Sequence, residues 1–246
     1  MNSEINKMNQ LSHVRTLLQQ YAQVPKEKQS YFFKTGPGHY AEHDKFLGIT
    51  IPNLRKIAKS NQNLAHEDIQ KLIKSPYNEE RLMALFILVE QYKLGDEAVK
   101  SRIYQFYLSQ LNQVNNWNLV DASAPFIMGA YLYQKNKELL ITLAQSEVLW
   151  ERRIAIVSTL YFIRHNDLEW TFKIAQFLLH DKHDLIHKAV GWMLREAGKK
   201  DQNQLIDFLE QYATQMPRTM LRYSIERFPE QQRKGYLSKP RILNEP

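Results

Sequence analysis

The segment ERLMALFILVEQY, residues 80–92, decides the fold class of this chain of 246 residues. Apolar side chains fill its middle without alternation, and a run of about 13 residues is longer than an ordinary β-strand. It therefore predicts a buried α-helix. Similar spacing predicts further helices near residues 11–21, 52–60, 67–74, 96–109, 116–133, 137–145, 150–164, 168–179, 184–197, 201–215 and 218–227. No stretch has the clean period-2 alternation of a half-buried strand, so we predict an all-α fold.

Four helix starts resemble one another and recur at a nearly constant interval. They are RLMALF at Arg81, WNLVDA at Trp117, RRIAIV at Arg152 and KAVGWM at Lys188, with steps of 36, 35 and 36 residues. A further step of 34 residues reaches Arg222. Two helices per step predict an α-α superhelix, a solenoid of HEAT- or armadillo-like repeats. An irregular helical bundle is the alternative.

In such a solenoid one helix of each pair lines a concave face. The four starts would mark that inner set, so the face would carry Arg81, Trp117, Arg152 or Arg153, and Lys188. We predict a single helical-repeat domain over residues 1–246, made of about six antiparallel helix pairs. Residues 1–10 and 238–246 are expected to be flexible tails, and the protein is expected to be a monomer.

Composition and charge narrow the function. There is no cysteine, which excludes disulfides, thiolate metal sites and cysteine nucleophiles. No apolar run approaches the roughly 20 residues that cross a bilayer, and the N-terminus has no apolar signal core, so we predict a cytoplasmic protein. The formal net charge is +7, with the excess mainly in residues 1–60 and 218–241. A basic surface is typical of a polyanion binder, although a basic protein without that role has the same composition.

Three neighbouring predicted inner helices carry side chains suited to nucleic acid. Trp117 and Asp121 are four residues apart and share one helix face, as do Trp192 and Arg195, which are three apart. Arg152 and Arg153 open the helix between them. Nucleic-acid sites combine cations for phosphates with aromatic faces for bases or sugars. Core packing of the indoles and a structural Arg–Asp pair are the alternative.

The histidines do not complete a convincing metal site. His183 and His187 could face one way on a helix, but no nearby Glu or Cys completes a ligand set. A second group, His39, His43 and Asp44, lies in a glycine-containing loop and could in principle hold a metal or a phosphate. We predict no metal and no cofactor.

Three segments together resemble the AlkD-type family of bacterial alkylation-repair DNA glycosylases. They are NNWNLVDASAP from Asn115, LWERRIAIVSTLYF from Leu149 and LIHKAVGWMLREAG from Leu185. The segment from Phe32, FFKTGPGHYAEHDKFLGITIPNLRKIAK, is similar to the amino-terminal region of one branch of this family. The resemblance covers about residues 11–237, and the patterns W-x-x-V-D and K-A-x-G-W-x-L-R-E are specific when they occur in this order.

The resemblance implies a HEAT-like solenoid whose concave face holds duplex DNA containing alkylated bases. It implies removal of bases that alkylation has made cationic, such as 7-methylguanine and 3-methyladenine, by contacts to sugar and backbone in which the base need not enter a pocket. It also implies roles for individual side chains: catalysis for Asp121, substrate binding for Trp117 and Trp192, and DNA binding for Arg153 and Arg195, with Arg152 and Lys188 as further DNA-binding candidates.

The chain departs from the family pattern beside the tryptophan. Some relatives carry an aromatic residue just before it and an acid just after it, where this chain has Asn116 and Asn118. This affects flanking contacts and substrate range more than catalysis, since Asp121 is retained. Two further functions stay open: a non-catalytic relative that binds unusual DNA structures, and a protein-binding scaffold. The preferred lesion, the acceptance of bulky adducts and the extrusion of the base also stay open.

Overall fold

The computed structural model describes residues 2–23, 25 and 32–241. Contacts divide the chain into two compact units, residues 1–123 and 124–246. The first unit contains α1 (Asn2–Gln20), α2 (Ile51–Ser60), α3 (His66–Ile73), α4 (Asn78–Leu94), α5 (Glu97–Ser109), a 3₁₀ turn (Leu111–Gln113) and α6 (Trp117–Ser123).

Helix α4 is the centre of the first unit. It is the helix predicted from residues 80–92, and its side chains are buried on all sides from Asn78 to Val89. Helices α2, α3, α5 and α6 all pack against it. A helix with apolar side chains all round needs partners on every face, which explains why its neighbours surround it.

The second unit begins with a π turn (Pro125–Gly129) and continues through further helices. These are α7 (Ala130–Leu132), α8 (Glu138–Ala144), α9 (Leu149–Arg164), α10 (Glu169–Phe177), α11 (Asp184–Gly198), α12 (Gln202–Tyr212), α13 (Arg218–Ser224) and α14 (Glu230–Ser238). Helix α9 packs against α8, α10, α11 and the π turn, and α11 packs against α10, α12 and α13. The two long helices therefore form the core of this unit.

Two glycines allow backbones to approach closely in the second unit. A Cβ atom at Gly191 would lie 2.5 Å from the carbonyl oxygen of Met220, on α13. A Cβ atom at Gly129 would overlap the carbonyl oxygen of Ser158, on α9. Any larger side chain would push these elements apart.

The all-α fold predicted from the sequence is confirmed. Among the described residues the sole β-type pairing is an isolated bridge between Lys45 and Tyr77. The helices that contain the recurring starts, α4, α6, α9, α11 and α13, begin 39, 32, 35 and 34 residues apart. In the part of the chain described, no helix is both long and apolar enough to cross a membrane.

The structure differs from the predicted helices in three places. The helix predicted at 116–133 is interrupted after Ser123, because Pro125 cannot donate a backbone hydrogen bond. A π turn follows, in which the N–H of Gly129 donates to the carbonyl of Ala124 at 2.9 Å. Helix α14 was not predicted, since most of its side chains are polar and exposed. Helix α1 begins at Asn2, whereas Met1 and residues 242–246, parts of the predicted flexible tails, lie outside the described residues.

Candidate functional site

Helix α6 carries the Trp117–Asp121 pair, and a buried asparagine fixes where this helix begins. The Oδ1 atom of Asn116 accepts a hydrogen bond from the backbone N–H of Trp117 at 2.7 Å, and its Nδ2 atom donates to Asp44 at 2.7 Å. Asn118 is also buried and exchanges amide hydrogen bonds with Asn78. The two asparagines that depart from the family pattern therefore hold α6 in place.

Trp117 and Asp121 are both half-buried and line the same cavity of about 520 Å³ in the first unit. Three aromatic rings form one wall. The Phe46 and Phe33 ring centroids are 4.6 Å apart, and those of Phe33 and Trp117 are 5.3 Å apart, with near-parallel planes in both pairs. The rest of the lining is Phe32, Ile49, Thr50, Ile51, Leu54, Arg55, Asn78, Glu79, Leu82, Phe86, Asn118 and Ala122.

A buried carboxylate holds the loop that forms one side of the cavity. Glu79, at the start of α4, accepts hydrogen bonds from the backbone N–H groups of Leu47 at 2.9 Å and Gly48 at 2.8 Å. Gly48 has φ of +88°, a conformation that L side chains rarely adopt. The loop is therefore attached to α4 by its backbone, and it carries Phe46 and Ile49 into the cavity wall.

A second buried carboxylate fixes the same loop from its other end. Asp44 forms an ion pair with Arg81 at 2.5 Å and accepts hydrogen bonds from Asn78 and Asn116 at 3.0 and 2.7 Å. Arg81 is 3% exposed, so the prediction that it lies on an inner surface is wrong. Arg81 lies in the stretch of α4 that is buried on all sides, and Asp44 supplies the counter-charge that a buried guanidinium needs.

The charges on the cavity lining are two carboxylates and one guanidinium. Asp121 and Glu79 are the acids, and the guanidinium of Arg55 lies 4.3 Å from the ring centroid of Phe86. Burial raises the pKa of the nearby Tyr107 hydroxyl, its hydrogen bond with Ser123 lowers that pKa in part, and the charge of Asp121 raises it further. The lining is thus mainly apolar with a net negative formal charge, which suits a cation with a flat apolar body.

The two candidate arginines of the second unit differ in exposure. Arg152 forms an ion pair with Asp181 at 2.6 Å and donates to the carbonyls of Ser146 and Glu147 at 2.9 Å, while its side chain stays 19% exposed. Arg153 is 5% exposed and donates to the carbonyl of Leu185 at 2.6 Å. Of the two, Arg152 has the guanidinium that solvent reaches more easily.

The remaining candidates lie on α11. Trp192 and Arg195 are both half-buried and lie one turn apart. Arg195 forms an ion pair with Glu226 and lies 3.7 Å from a carboxylate oxygen of Glu196. Lys188 pairs with Asp184 at 2.6 Å, four residues earlier on the same helix.

The histidines of the second unit contact backbone groups. The Nδ1 atom of His183 accepts a hydrogen bond from the backbone N–H of Leu185 at 3.1 Å, which caps α11. Burial lowers the pKa of His183 below its ordinary value. A ring nitrogen of His187 lies 2.5 Å from the carbonyl oxygen of Asp181. Across residues 2–23, 25 and 32–241 no group of three or more His, Cys, Asp or Glu side chains is arranged to hold a metal.

Sequence reasoning missed the aromatic wall. Phe33, Phe46 and Arg55 were not among the candidate residues, because they lie in a loop and at a helix start without periodicity. The sequence signal that could have indicated this wall is the presence of three phenylalanines within the fifteen residues 32–46, a glycine-containing segment. Their meeting with Trp117 depends on tertiary structure.

The recurring helices of the described residues, which begin 39, 32, 35 and 34 residues apart, place the protein in the class of helical-repeat proteins. A family model described as DNA alkylation repair enzyme matches residues 14–228. The chain therefore belongs to the DNA alkylation repair enzyme family. No curated protein matches it. A solved structure described as a predicted DNA alkylation repair enzyme from Enterococcus faecalis is 17% identical with a TM-score of 0.62, and the match covers 85% of this chain and 98% of that one. It shares the all-α helical-repeat fold.

Proposed function

We propose that this protein is a DNA glycosylase that hydrolyses the N-glycosidic bond of cationic alkylated purines, such as 7-methylguanine and 3-methyladenine, in duplex DNA. The observation that carries the proposal is the pairing of Trp117 and Asp121 on one turn of α6, facing one aromatic cavity in a member of an alkylation-repair family. The positive charge of an alkylated base weakens its bond to the sugar. As the bond breaks, that charge passes to the sugar, which becomes oxocarbenium-like.

Asp121 is the proposed catalytic residue. An ionised carboxylate beside the deoxyribose stabilises the developing positive charge and can position or deprotonate the attacking water. Glu79, the other acid of the lining, is 5% exposed, whereas Asp121 is half-buried. This difference favours Asp121 as the group that acts on the substrate.

Trp117 in the first unit and Trp192 in the second are each proposed as a substrate-binding residue. A cation over an indole face is stabilised by about 0.5–2 kcal/mol, and by more when water is excluded. Trp117 and Trp192 would therefore favour an alkylated nucleotide over an ordinary one. The half-buried position of each ring leaves part of its surface open to a ligand.

Cations of the second unit are proposed to bind phosphates. Lys188 and Arg195 are partly exposed, and their ion-pair partners Asp184 and Glu226 are about half exposed, so a phosphate can compete for the cation. Between the two adjacent arginines, exposure favours Arg152 for a direct phosphate contact. Arg153 would then position α11 through its hydrogen bond to the backbone.

The deciding experiment measures base release from duplex DNA methylated with dimethyl sulfate. Wild type is expected to release 7-methylguanine or 3-methyladenine, detected by chromatography. Asp121→Asn is expected to lose roughly 100- to 1,000-fold in rate while still binding DNA. Asp207→Asn, which changes an exposed aspartate on α12, serves as the matched control and should retain the wild-type rate.

Three results would contradict the proposal. Release of the alkylated base by Asp121→Asn at the wild-type rate would exclude the catalytic role of this carboxylate. Wild type that binds DNA but releases no base would favour a non-catalytic relative. DNA affinity that does not change with salt would instead favour a protein-binding scaffold, because phosphate contacts release counterions.

A further inference from the structure

We infer that three exposed arginines near the end of the chain, Arg222, Arg227 and Arg233, bind the phosphate backbone of duplex DNA whether or not a lesion is present; the choice of DNA as partner rests on the proposed function. Residues 218–241 contain seven Lys or Arg and only two Asp or Glu. The three arginines lie on α13, on the segment that follows it and on α14. The family match ends at residue 228, so α14 lies outside the matched residues.

Helix α14 is attached to the second unit by its C-terminal half. The ring of Tyr236 is buried 6.0 Å from that of Phe228, and its hydroxyl donates a hydrogen bond to Glu210 of α12 at 2.8 Å. The ammonium of Lys239 pairs with the same carboxylate at 3.1 Å, and Arg218 donates to the carbonyl of Lys239 at 2.6 Å. These contacts hold the helix in place without the use of its exposed cations.

The cations of this region therefore divide into two groups. Arg218 and Lys239 serve the attachment of α14. Another group is exposed and, within the part of the chain that the structure describes, forms no ion pair with a carboxylate: Arg222, Arg227 and Arg233. A phosphate can approach these guanidiniums without displacing an acid, and guanidiniums bind phosphate with two parallel hydrogen bonds.

The first half of α14 favours a polyanion over a protein or a membrane. Residues 230–235 are all exposed, and none of them has an apolar side chain. A protein interface has apolar or aromatic anchors at its centre, and a helix that lies on a membrane inserts an apolar face. The amides of Gln231 and Gln232 flank Arg233 and can donate further hydrogen bonds to phosphate oxygens.

One ion pair connects this group to the cations already proposed to bind phosphates. Glu226, which precedes Arg227 in the sequence, pairs with Arg195 of α11. Phosphates are the same in damaged and undamaged DNA, so the three arginines would carry no information about the lesion. Their role is to supply electrostatic affinity, which lets a protein associate quickly with a duplex and move along it.

The test measures binding of the full chain to an undamaged, fluorescently labelled duplex by anisotropy at several salt concentrations. The variant combines Arg222→Gln, Arg227→Gln and Arg233→Gln. Each lost phosphate contact lowers the salt slope of log affinity by about 0.9, so the triple variant should lose about 2–3 from the slope. Its affinity should fall about eightfold per contact at about 0.1 M salt and agree with wild type when extrapolated to about 1 M, because counterion release is what it loses.

Two further variants separate charge at these positions from other effects. Replacement of the same three arginines by lysine keeps the charge and should retain most of the wild-type slope. The matched control removes the same formal charge from exposed cations elsewhere in the chain and should keep the wild-type slope; it combines Arg102→Gln, Lys135→Gln and Arg164→Gln. Circular dichroism establishes that each variant is folded.

The outcomes distinguish this inference from the proposed function. A slope that the glutamine variant leaves unchanged, or that the control lowers equally, would overturn the assignment of the three arginines, even if wild type releases alkylated bases. A slope lowered in the glutamine variant alone would support the assignment. If wild type at the same time releases no base from methylated DNA, the glycosylase proposal is contradicted and the duplex-binding role of the arginines still holds.

Discussion

Removing either member of the Asp44–Arg81 pair should destabilise the first unit strongly. The two side chains are 8% and 4% exposed, and their charged atoms are 2.5 Å apart. Breaking a buried pair strands one charge away from water, which costs about 3–5 kcal/mol. Asp44→Asn leaves the guanidinium of Arg81 without its counter-charge, and Arg81→Met leaves the carboxylate of Asp44 without its counter-charge. We expect each single variant to lose about 3–5 kcal/mol of unfolding free energy.

The double variant distinguishes a coupled pair from two independent losses. With Asp44→Asn and Arg81→Met combined, no charge is stranded, so the loss should be smaller than the sum of the single losses by about 1–3 kcal/mol. Urea unfolding of the four proteins at neutral pH, followed by circular dichroism, gives the four free energies. Lys234→Met is the control, because its pair with Glu230 is more than three-quarters exposed and contributes only about 0–1 kcal/mol.

Single losses that add to the double loss within about 0.5 kcal/mol would contradict a coupled Asp44–Arg81 pair. That result would mean that Asp44 and Arg81 do not depend on each other, and that the loop before Phe46 is held by other contacts. The coupling also has a functional consequence. Each single variant should also release alkylated bases more slowly, because the loop that carries Phe46, whose ring stacks on Phe33 beside Trp117, loses its anchor.

Three further predictions concern the second unit. Gly191→Ala should cost about 1–3 kcal/mol of unfolding free energy in a urea titration, because its Cβ atom would lie 2.5 Å from the Met220 carbonyl oxygen. The control Gly235→Ala, which has open space around its Cβ position, should gain roughly 0.5–1 kcal/mol. Burial lowers the pKa of His183 in the folded protein, so the unfolding free energy of wild type should fall as pH decreases below the ordinary histidine pKa of about 6.5. His183→Asn, which still caps the helix, should lose less unfolding free energy over that range in urea titrations. Equal pH profiles for the two proteins would contradict this. Arg195→Gln should weaken duplex binding for all sequences and reduce the salt slope of log affinity by about 0.9, measured by fluorescence anisotropy at several salt concentrations; an unchanged slope would exclude a phosphate contact.

The local features were predictable because they depend on residues close together in the chain. The apolar run at 80–92 predicts α4 without knowledge of its partners, and the four-residue spacing predicts that Trp117 and Asp121 share a face of α6. The interruption at Pro125 was missed although proline is a local signal, because the apolar pattern continues through it.

Local sequence patterns are sufficient to predict the all-α fold, the recurring helices and the indole–carboxylate pair. Tertiary structure decided which charges are buried and which rings meet. Asp44 and Arg81 are 37 residues apart, and Asp44 and Asn116 are 72 apart, so no short-range pattern marks their contacts. These buried polar groups fix the loop that carries Phe46, and Phe46 stacks on Phe33, which stacks on Trp117. A buried charge requires a partner, and the fold alone determines which residue supplies it.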